Sequence, residues 1–464
     1  MVLSQRIHFV GIGGTGLSAI ARVLLERGYT VSGSDRHASP FTEALARLGA
    51  RVFIGHAPEQ VRDADLVVRS SAIPDDNPEV QESRARGIPV LKRVDFLPQL
   101  TAGYRTLAVA GAHGKTTTTA MLAVALQRLG QDPTFIVGAE VHDLGANAHA
   151  GKGPYFVIEA DEYDYMFWGL RPYVAVVTNV EHDHPDLFPT PEAMQAAFRG
   201  FVERGDPEGW TVLCGEDAGA RRLAEHAPGR VLFYGIRGEG SGVWLAAIAR
   251  GLSLNPRGGY DFRAGLPSGR EVAVSLSIPG RHNVLNALAA LTVVDVLGLD
   301  VQEAARSLAA FHGAGRRFEV RLESGGWVVV DDYAHHPTEI AATLAAARAR
   351  YPGHTLWAVW QPHTYSRTLT LLDRFATAFA QADRVVVTGV YAARERAPEG
   401  FDPRQVAAAL RHPTVAFAPD WEAAAELLLA EAHPPAVVLV LSAGDGPRLS
   451  ERLQAAWLSE ERRG

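Results

Sequence analysis

Ala110 to Thr119, AGAHGKTTTT, sets a lysine and a run of threonines behind a short glycine loop, and these residue types in this order suit work on a phosphate. The segment follows the apolar run TLAVA and opens a stretch with helical spacing. Backbone N–H groups of such a loop, with the positive end of the helix, cradle phosphate oxygens. Lys115 would reach the β- and γ-phosphates, and the Thr116 hydroxyl would bind Mg²⁺. Two residues separate Gly111 from Gly114, where the usual P-loop has four between its glycines. The 45 cationic residues include three lysines, Lys92, Lys115 and Lys152, so one of the few sits at the decisive place. A glycine turn with a capped helix is the bland alternative.

A second glycine motif, GIGGTG from Gly11 to Gly16, lies between an apolar run and a helical one. It fits G-x-G-x-x-G, and Asp35 closes the next apolar run at the distance expected of a ribose-binding acid. The motif predicts pyrophosphate and ribose without choosing the cofactor; a dehydrogenase using NAD is the usual guess.

Acids and histidines gather in the middle of the chain. Glu159, Asp161, Glu162 and Asp164 follow YFVIEA, and Asn179, Glu181, His182, Asp183 and His184 follow VAVVTN. In a parallel sheet the carboxyl ends of strands share one edge, so both groups fall beside the phosphate loop. Oxygen donors there suit Mg²⁺; Glu159 and His184 are the favoured ligands, while Asp161, Glu162 and His182 stay undecided. In GRHNVLNALAA, Asn283 and Asn286 lie three apart at a helix start, where two amides can read a flat heterocycle or one can cap the helix. Farther on, Arg316 and Arg317 stand where an arginine can close onto a γ-phosphate. Asp331, Asp332, Tyr333, His335 and His336 follow one predicted strand; His363, Tyr365 and Arg367 follow another. Arg367 is a candidate clamp for an amino-acid carboxylate.

Strand-and-helix alternation places these groups on α/β units with parallel, helix-covered sheets. The length suits about three domains, with junctions expected near 100–105 and 311–316: residues 1–103, 104–312 and 313–464. The first and third are read as Rossmann-like and the central one as a P-loop-type, mostly parallel sheet, with strands and turns from 230 to 278. Hydrophobic residues make up 47% and charged residues 21%, which excludes disorder, and the net charge of -7 speaks against broad binding to nucleic acid. The lone cysteine, Cys214, forms no internal disulfide and no multi-thiolate zinc site. Ile7–Ile12 is too short for a signal-peptide core and Ala436–Leu441 for a membrane span, so a cytoplasmic location is expected, as a monomer or homodimer.

Taken in order, GIGGTG, GAHGKTTTT, EADEYD, TNVEHDH, GRHNVLNALAA, GRRFE, DDYAHHPTEI, QPHTYSRT and SAGDG resemble the motifs of the Mur ligase family over nearly the whole chain. The resemblance implies an ATP- and Mg²⁺-dependent ligase that joins L-alanine to UDP-N-acetylmuramate through an acyl phosphate, in peptidoglycan precursor synthesis. A tripeptide ligase acting on the same acceptor is the alternative; an NAD-dependent oxidoreductase or a non-catalytic nucleotide-binding protein is the alternative of another class. By matching motifs, Gly11, Gly13, Gly14, Thr15, Gly16, Asp35 and Ser71 would hold the UDP substrate, not NAD. Gly111, Ala112, His113, Gly114, Lys115, Thr116, Thr117, Asn283, Asn286, Arg317 and Asp332 would bind ATP. Thr116, Glu159 and His184 would hold the metal, and Tyr333, His363 and Arg367 the amino acid, with Lys115, Arg317 and His184 as the catalytic set. Two departures stand out. Many relatives carry arginine where this chain has Thr364, and no lysine follows Lys152, so the carbamylated-lysine metal bridge of the later-acting sister ligases has no counterpart.

Overall fold

Near-continuous apolar runs in this sequence become strands buried on both faces, and each strand's carboxyl end delivers a polar loop to one sheet edge. The computed structural model describes residues 5–236 and 242–461. The first sheet contains β1 (Arg6–Val10), β2 (Thr30–Asp35), β3 (Arg51–Ile54), β4 (Leu66–Arg69) and β5 (Val90–Lys92). All pairings are parallel, in the order β3-β2-β1-β4-β5. The order reverses between β1 and β4, so GIGGTG, leaving β1, opens into the crevice where such sheets bind ligands.

The second sheet contains β6 (Arg105–Ala110), β7 (Thr134–Val141), β8 (Ala146–His149), β9 (Tyr155–Glu159), β10 (Val174–Val177), β11 (Trp210–Cys214), β12 (Arg230–Ile236), β13 (Ala247–Leu254), β14 (Tyr260–Gly265) and β15 (Glu271–Ser275). Its order is β15-β14-β13-β12-β11-β10-β6-β9-β7-β8. It is parallel from β7 across to β13, with antiparallel β8 at one end and β14 and β15 at the other. β6 lies between β10 and β9, so the loop it carries is flanked by both acid-rich segments. The third sheet contains β16 (Glu319–Ser324), β17 (Trp327–Asp332), β18 (Thr355–Trp360), β19 (Arg384–Val387), β20 (Val415–Phe417) and β21 (Ala436–Leu441). Its order is β16-β17-β21-β18-β19-β20, parallel except at the β16 edge.

The sequence reading names no strand at 134–149, where charged and small residues interrupt the alternation; there β7 and β8 form an antiparallel pair on the edge beyond β9. No helix among the described residues is long and apolar enough to cross a membrane.

A polar knot sits inside the first sheet's packing. The fully buried Glu79 carboxylate accepts from Ser34 Oγ at 2.6 Å and lies 2.8 Å from His56 Nδ1, with His8 Nε2 at 3.3 Å. Burial alone would raise the Glu79 pKa, but these partners bring it below the ordinary glutamate value. Its stabilising contribution is therefore full above the unfolded pKa and is lost as pH falls through the lowered folded one. Glu79→Ala strands a buried histidine and a buried serine, and is expected to cost about 3 kcal/mol in urea unfolding at neutral pH, with the deficit shrinking in acid. An unfolding midpoint within error of the parent would contradict this.

Candidate active site

Where β6 ends, the chain must turn away from Thr178 at almost no distance. A Cβ on Gly111 (φ +143°) would lie 1.9 Å from Thr178 Oγ1, so that position requires glycine. Asn179 then pins the loop from the next strand: His113 N–H donates to Asn179 Oδ1 at 2.9 Å, and Asn179 Nδ2 donates to His113 O at 3.0 Å. Gly114 caps the helix Lys115–Arg128.

Lys115 Nζ donates to Gly111 O (2.5 Å) and Ala112 O (3.1 Å) and forms an ion pair with Glu162 at 2.9 Å. Burial alone would lower the lysine pKa, but Glu162, Glu159 and Asp161 outweigh it, so Lys115 stays an ammonium. The Glu162 carboxyl is pushed up by burial, a shift that Lys115 opposes. Sequence reasoning left Glu162 undecided; the structure makes it the counter-ion of the loop lysine. Beside it, Thr116 Oγ1 donates to Glu159 Oε1 at 3.0 Å, and Gly138 N–H donates to Glu159 Oε2 at 2.6 Å. His184 reaches this set through Glu162, with Nε2 3.8 Å from Oε1.

A cavity of about 260 Å³ opens beside the loop, and Gly114, Thr116, Asn283, Asn286, Arg317 and Asp332 all line it. Gly280, not Asn283, caps the helix Arg281–Val296. Asn283 Nδ2 instead donates to Pro279 O at 2.6 Å, and Asn283 Oδ1 accepts from Asn286 Nδ2 at 2.9 Å, so the two amides hold each other in the wall. Arg317 comes from the segment before β16 and reaches back to Thr116 Oγ1 at 3.4 Å. Asp332 ends β17, accepts from the Phe318 and Ala334 amides, and is pushed up to about 6 by burial.

The second and third sheets meet through charges. Arg367, 3% exposed, donates from Nε to Asp183 Oδ1 at 2.6 Å. Burial alone would raise the Asp183 carboxyl; Arg367 and the histidines around it hold it well below the usual range. The Arg367 terminal nitrogens lie near His363 Nδ1 (3.1 Å) and His184 Nδ1 (3.4 Å). The predicted carboxylate clamp thus has one edge already occupied by a carboxylate of this chain. His363 stacks on Tyr391 and is lowered to about 4 by burial, hence neutral, while Tyr333 lies under the guanidiniums of Arg316 and Arg317. Thr364 caps the helix Tyr365–Thr370 by accepting from Arg367 N–H.

His113, Glu181 and His336 offer ligand atoms within 4.8 Å of one another, a spacing a metal would accept. Their hydrogen bonds argue for an ion-pair lock instead. His113 places one ring nitrogen 2.9 Å from Glu181 and the other 3.2 Å from Glu339; against burial, which would lower it, these carboxylates hold it up at about 9. With both nitrogens protonated it has no lone pair for a cation. Glu181 also accepts from Thr338 Oγ1 at 2.9 Å and from Arg374. Sequence reasoning missed Glu339 and Arg374. Glu339 sits three residues after His336 at a helix start, and its reach back to the His336 N–H forms a capping box, so its pattern reads as structure.

Among the described residues, non-glycine residues with positive φ concentrate in these loops: Asp164, Tyr165, His184, Arg316, Phe318 and Thr364. Such strain persists where surrounding contacts over-determine the backbone.

The other glycine turn is separate. Gly13 N–H donates to Asp35 Oδ2 at 2.9 Å, and Gly14 N–H to Gly11 O at 3.2 Å, shaping the start of the helix Thr15–Glu26. Ser71 is exposed on the turn after β4, across the crevice from this loop.

Three family profiles match the chain: Mur ligase family, catalytic domain, over residues 6–105; Mur ligase middle domain over 109–294; and Mur ligase, glutamate ligase domain, over 316–444. The chain belongs to the Mur ligase family. It is 46% identical to a Rubrobacter xylanophilus UDP-N-acetylmuramate–L-alanine ligase over 97% of this chain and 100% of that one. A Frankia casuarinae protein of the same name is 42% identical over 98% of each. The crystal structure of the UDP-N-acetylmuramate–alanine ligase MurC from Thermotoga maritima superposes with a TM-score of 0.81 at 29% identity, covering 98% of this chain and 99% of that one. A murein peptide ligase from Psychrobacter arcticus gives 0.72 at 25% identity, covering 97% and 99%.

Proposed function

We propose that this chain is an ATP-dependent ligase that joins L-alanine to UDP-N-acetylmuramate. The reading assigns the UDP-linked substrate to residues 1–103, ATP to 104–312 and the amino acid to 313–464. One observation carries it: a single cavity gathers the loop of β6, the paired asparagines, Arg317 from the segment before β16 and Asp332 from the end of β17, while the second glycine turn lies on another sheet. The chain thus offers one cradle for a triphosphate and another for a UDP-sugar. The relatives named above support the choice of substrates.

The substrate's lactyl carboxylate attacks the γ-phosphorus of ATP, giving an acyl phosphate and ADP. Both reactants are anionic, so the site must offset their repulsion. Lys115 and Arg317 bring fixed positive charge to the phosphates as charge shifts in the transition state. Asn283 and Asn286 present amide donors and acceptors to the adenine edge, and Asp332 accepts from the ribose hydroxyls. Thr116 and Glu159 offer hard oxygen donors 3.0 Å apart, a set that fits Mg²⁺, and His184 stands next to them. Mg²⁺ held there would neutralise phosphate charge during transfer. The alanine amine then attacks the activated carbonyl, phosphate leaves, and an amide forms with loss of one amine proton. Tyr333, His363 and Arg367 surround the place where alanine would lie. Contacts of Arg367 with Asp183 and of Arg374 with Glu181 close the third sheet over the site, which keeps water from the acyl phosphate.

Phosphate release with UDP-N-acetylmuramate, ATP and Mg²⁺ tests this against a panel of L-alanine, glycine, L-serine and the murein tripeptide. Turnover is expected with L-alanine and not when the amino acid is omitted. Preference for the tripeptide would transfer the chain to the murein peptide ligases; no phosphate release with any acceptor would remove the ligase reading.

A further inference from the structure

Arg93 opens the helix Arg93–Leu100, directly after β5, in a stretch with no motif. Its guanidinium lies across the GIGGTG turn: a Cβ on Gly16 would be 2.4 Å from Arg93 Nη1. The last glycine of that turn therefore makes room for an arginine. We propose that Arg93 grips the diphosphate of the UDP-linked substrate. The inference rests on the assignment of this turn to UDP and adds the side chain that would recognise the two phosphates.

Three observations converge on it. The Arg93 side chain is 17% exposed, its charged neighbour is Asp161 Oδ2 at a loose 3.6 Å, and among the described residues it makes no hydrogen bond. The guanidinium carries five N–H donors that the protein engages little, so they are available to a ligand. Arg69, at the end of β4 in the same sheet, is by contrast satisfied by Ile73 O at 2.8 Å and Asp75 at 3.0 Å. Second, the Thr15 and Gly16 amides at the helix start take no acceptor among the described residues, although Gly13 and Gly14 do. Third, the guanidinium and these amides meet at Gly16, so oxygens seated on the turn would receive donors from two directions. Planar, bidentate N–H pairs suit phosphate oxygens. The neighbouring Lys92 points elsewhere, to Asp164 at 3.5 Å, and is more exposed.

Asp161 gives the contact a second consequence. It belongs to the loop that leaves β9 after Glu159 and carries Glu162, on the second sheet, so Arg93 ties the UDP turn to the acids beside the ATP loop. Arg93 would hold the diphosphate on one side and keep its register against that loop on the other.

Calorimetric titration of the full-length protein with UDP, UMP and uridine tests the assignment, with binding of a non-hydrolysable ATP analogue as the check on folding. The parent is expected to prefer UDP to UMP. Arg93→Ala should weaken UDP by about 10- to 100-fold, the worth of charged hydrogen bonds, narrow the gap between UDP and UMP, and leave uridine and the ATP analogue unchanged. Arg93→Lys should recover part of the loss. Gly16→Ala, which puts a methyl group where Nη1 lies, should reproduce it with the charge still present. UDP binding by Arg93→Ala equal to the parent, or equal losses for uridine and UDP, would overturn the inference while leaving UDP on this turn. Failure of the parent to bind UDP would overturn both.

Discussion

Lys115→Ala is expected to lower ADP formation from ATP and UDP-N-acetylmuramate by about 10³-fold or more, since removing one preorganised donor to a developing anion already costs about 10²–10³, and here the donor carries a full charge in a buried site. The substitution also strands Glu162, which is 1% exposed and paired with Lys115 at 2.9 Å. Its carboxyl is already pushed up by burial, so the variant has a ready route to neutrality by taking a proton. The double variant Lys115→Ala/Glu162→Gln removes both charges and separates the two effects. It should recover thermal stability relative to the single variant and stay inactive. Recovery of ADP formation in the double variant would mean that Lys115 neutralises Glu162 and does not serve the phosphates.

The second large effect concerns closure. Asp183→Ala leaves Arg367 charged and buried at the contact between the second and third sheets. Breaking a buried pair from one side costs about 3–5 kcal/mol, and the contact joins two bodies that each keep their own core. The penalty should therefore appear as opening before it appears as unfolding. Turnover with L-alanine is expected to fall about 10²-fold, the equivalent of about 3 kcal/mol. Small-angle scattering should show a larger radius of gyration, and UDP binding on the first sheet should be unaffected. Asp183→Asn keeps an acceptor for Arg367 Nε and should lose less. Unchanged turnover together with unchanged scattering for Asp183→Ala would contradict the closing role.

The residues proposed to bind ATP were legible because they stand at or close to strand ends and helix starts, where local pattern and chemistry coincide. Lys115, Thr116, Asn283, Asn286, Arg317 and Asp332 fall into this group, and the parallel strands explain how distant segments share one edge. Arg93 and Glu339 were not legible. Each sits in the first turn of a helix, and what makes it notable is a neighbour more than 70 residues away: Gly16 for the one, His113 for the other. The Arg367 pairing was hidden for the same reason; sequence shows a cation after a strand, but not the carboxylate that another sheet places 2.6 Å from it. The β7–β8 pair at 134–149 escaped because its alternation is broken by glycine and charge, and the sheet supplies the pairing that local propensity does not.

Occupancy of the two cradles is the most direct test. UDP titrated calorimetrically into protein already saturated with a non-hydrolysable ATP analogue and Mg²⁺ should bind with one equivalent per chain, at an affinity close to that for the free protein, and NAD should displace neither. Competition between UDP and the ATP analogue for one site, or displacement of UDP by NAD, would contradict the account.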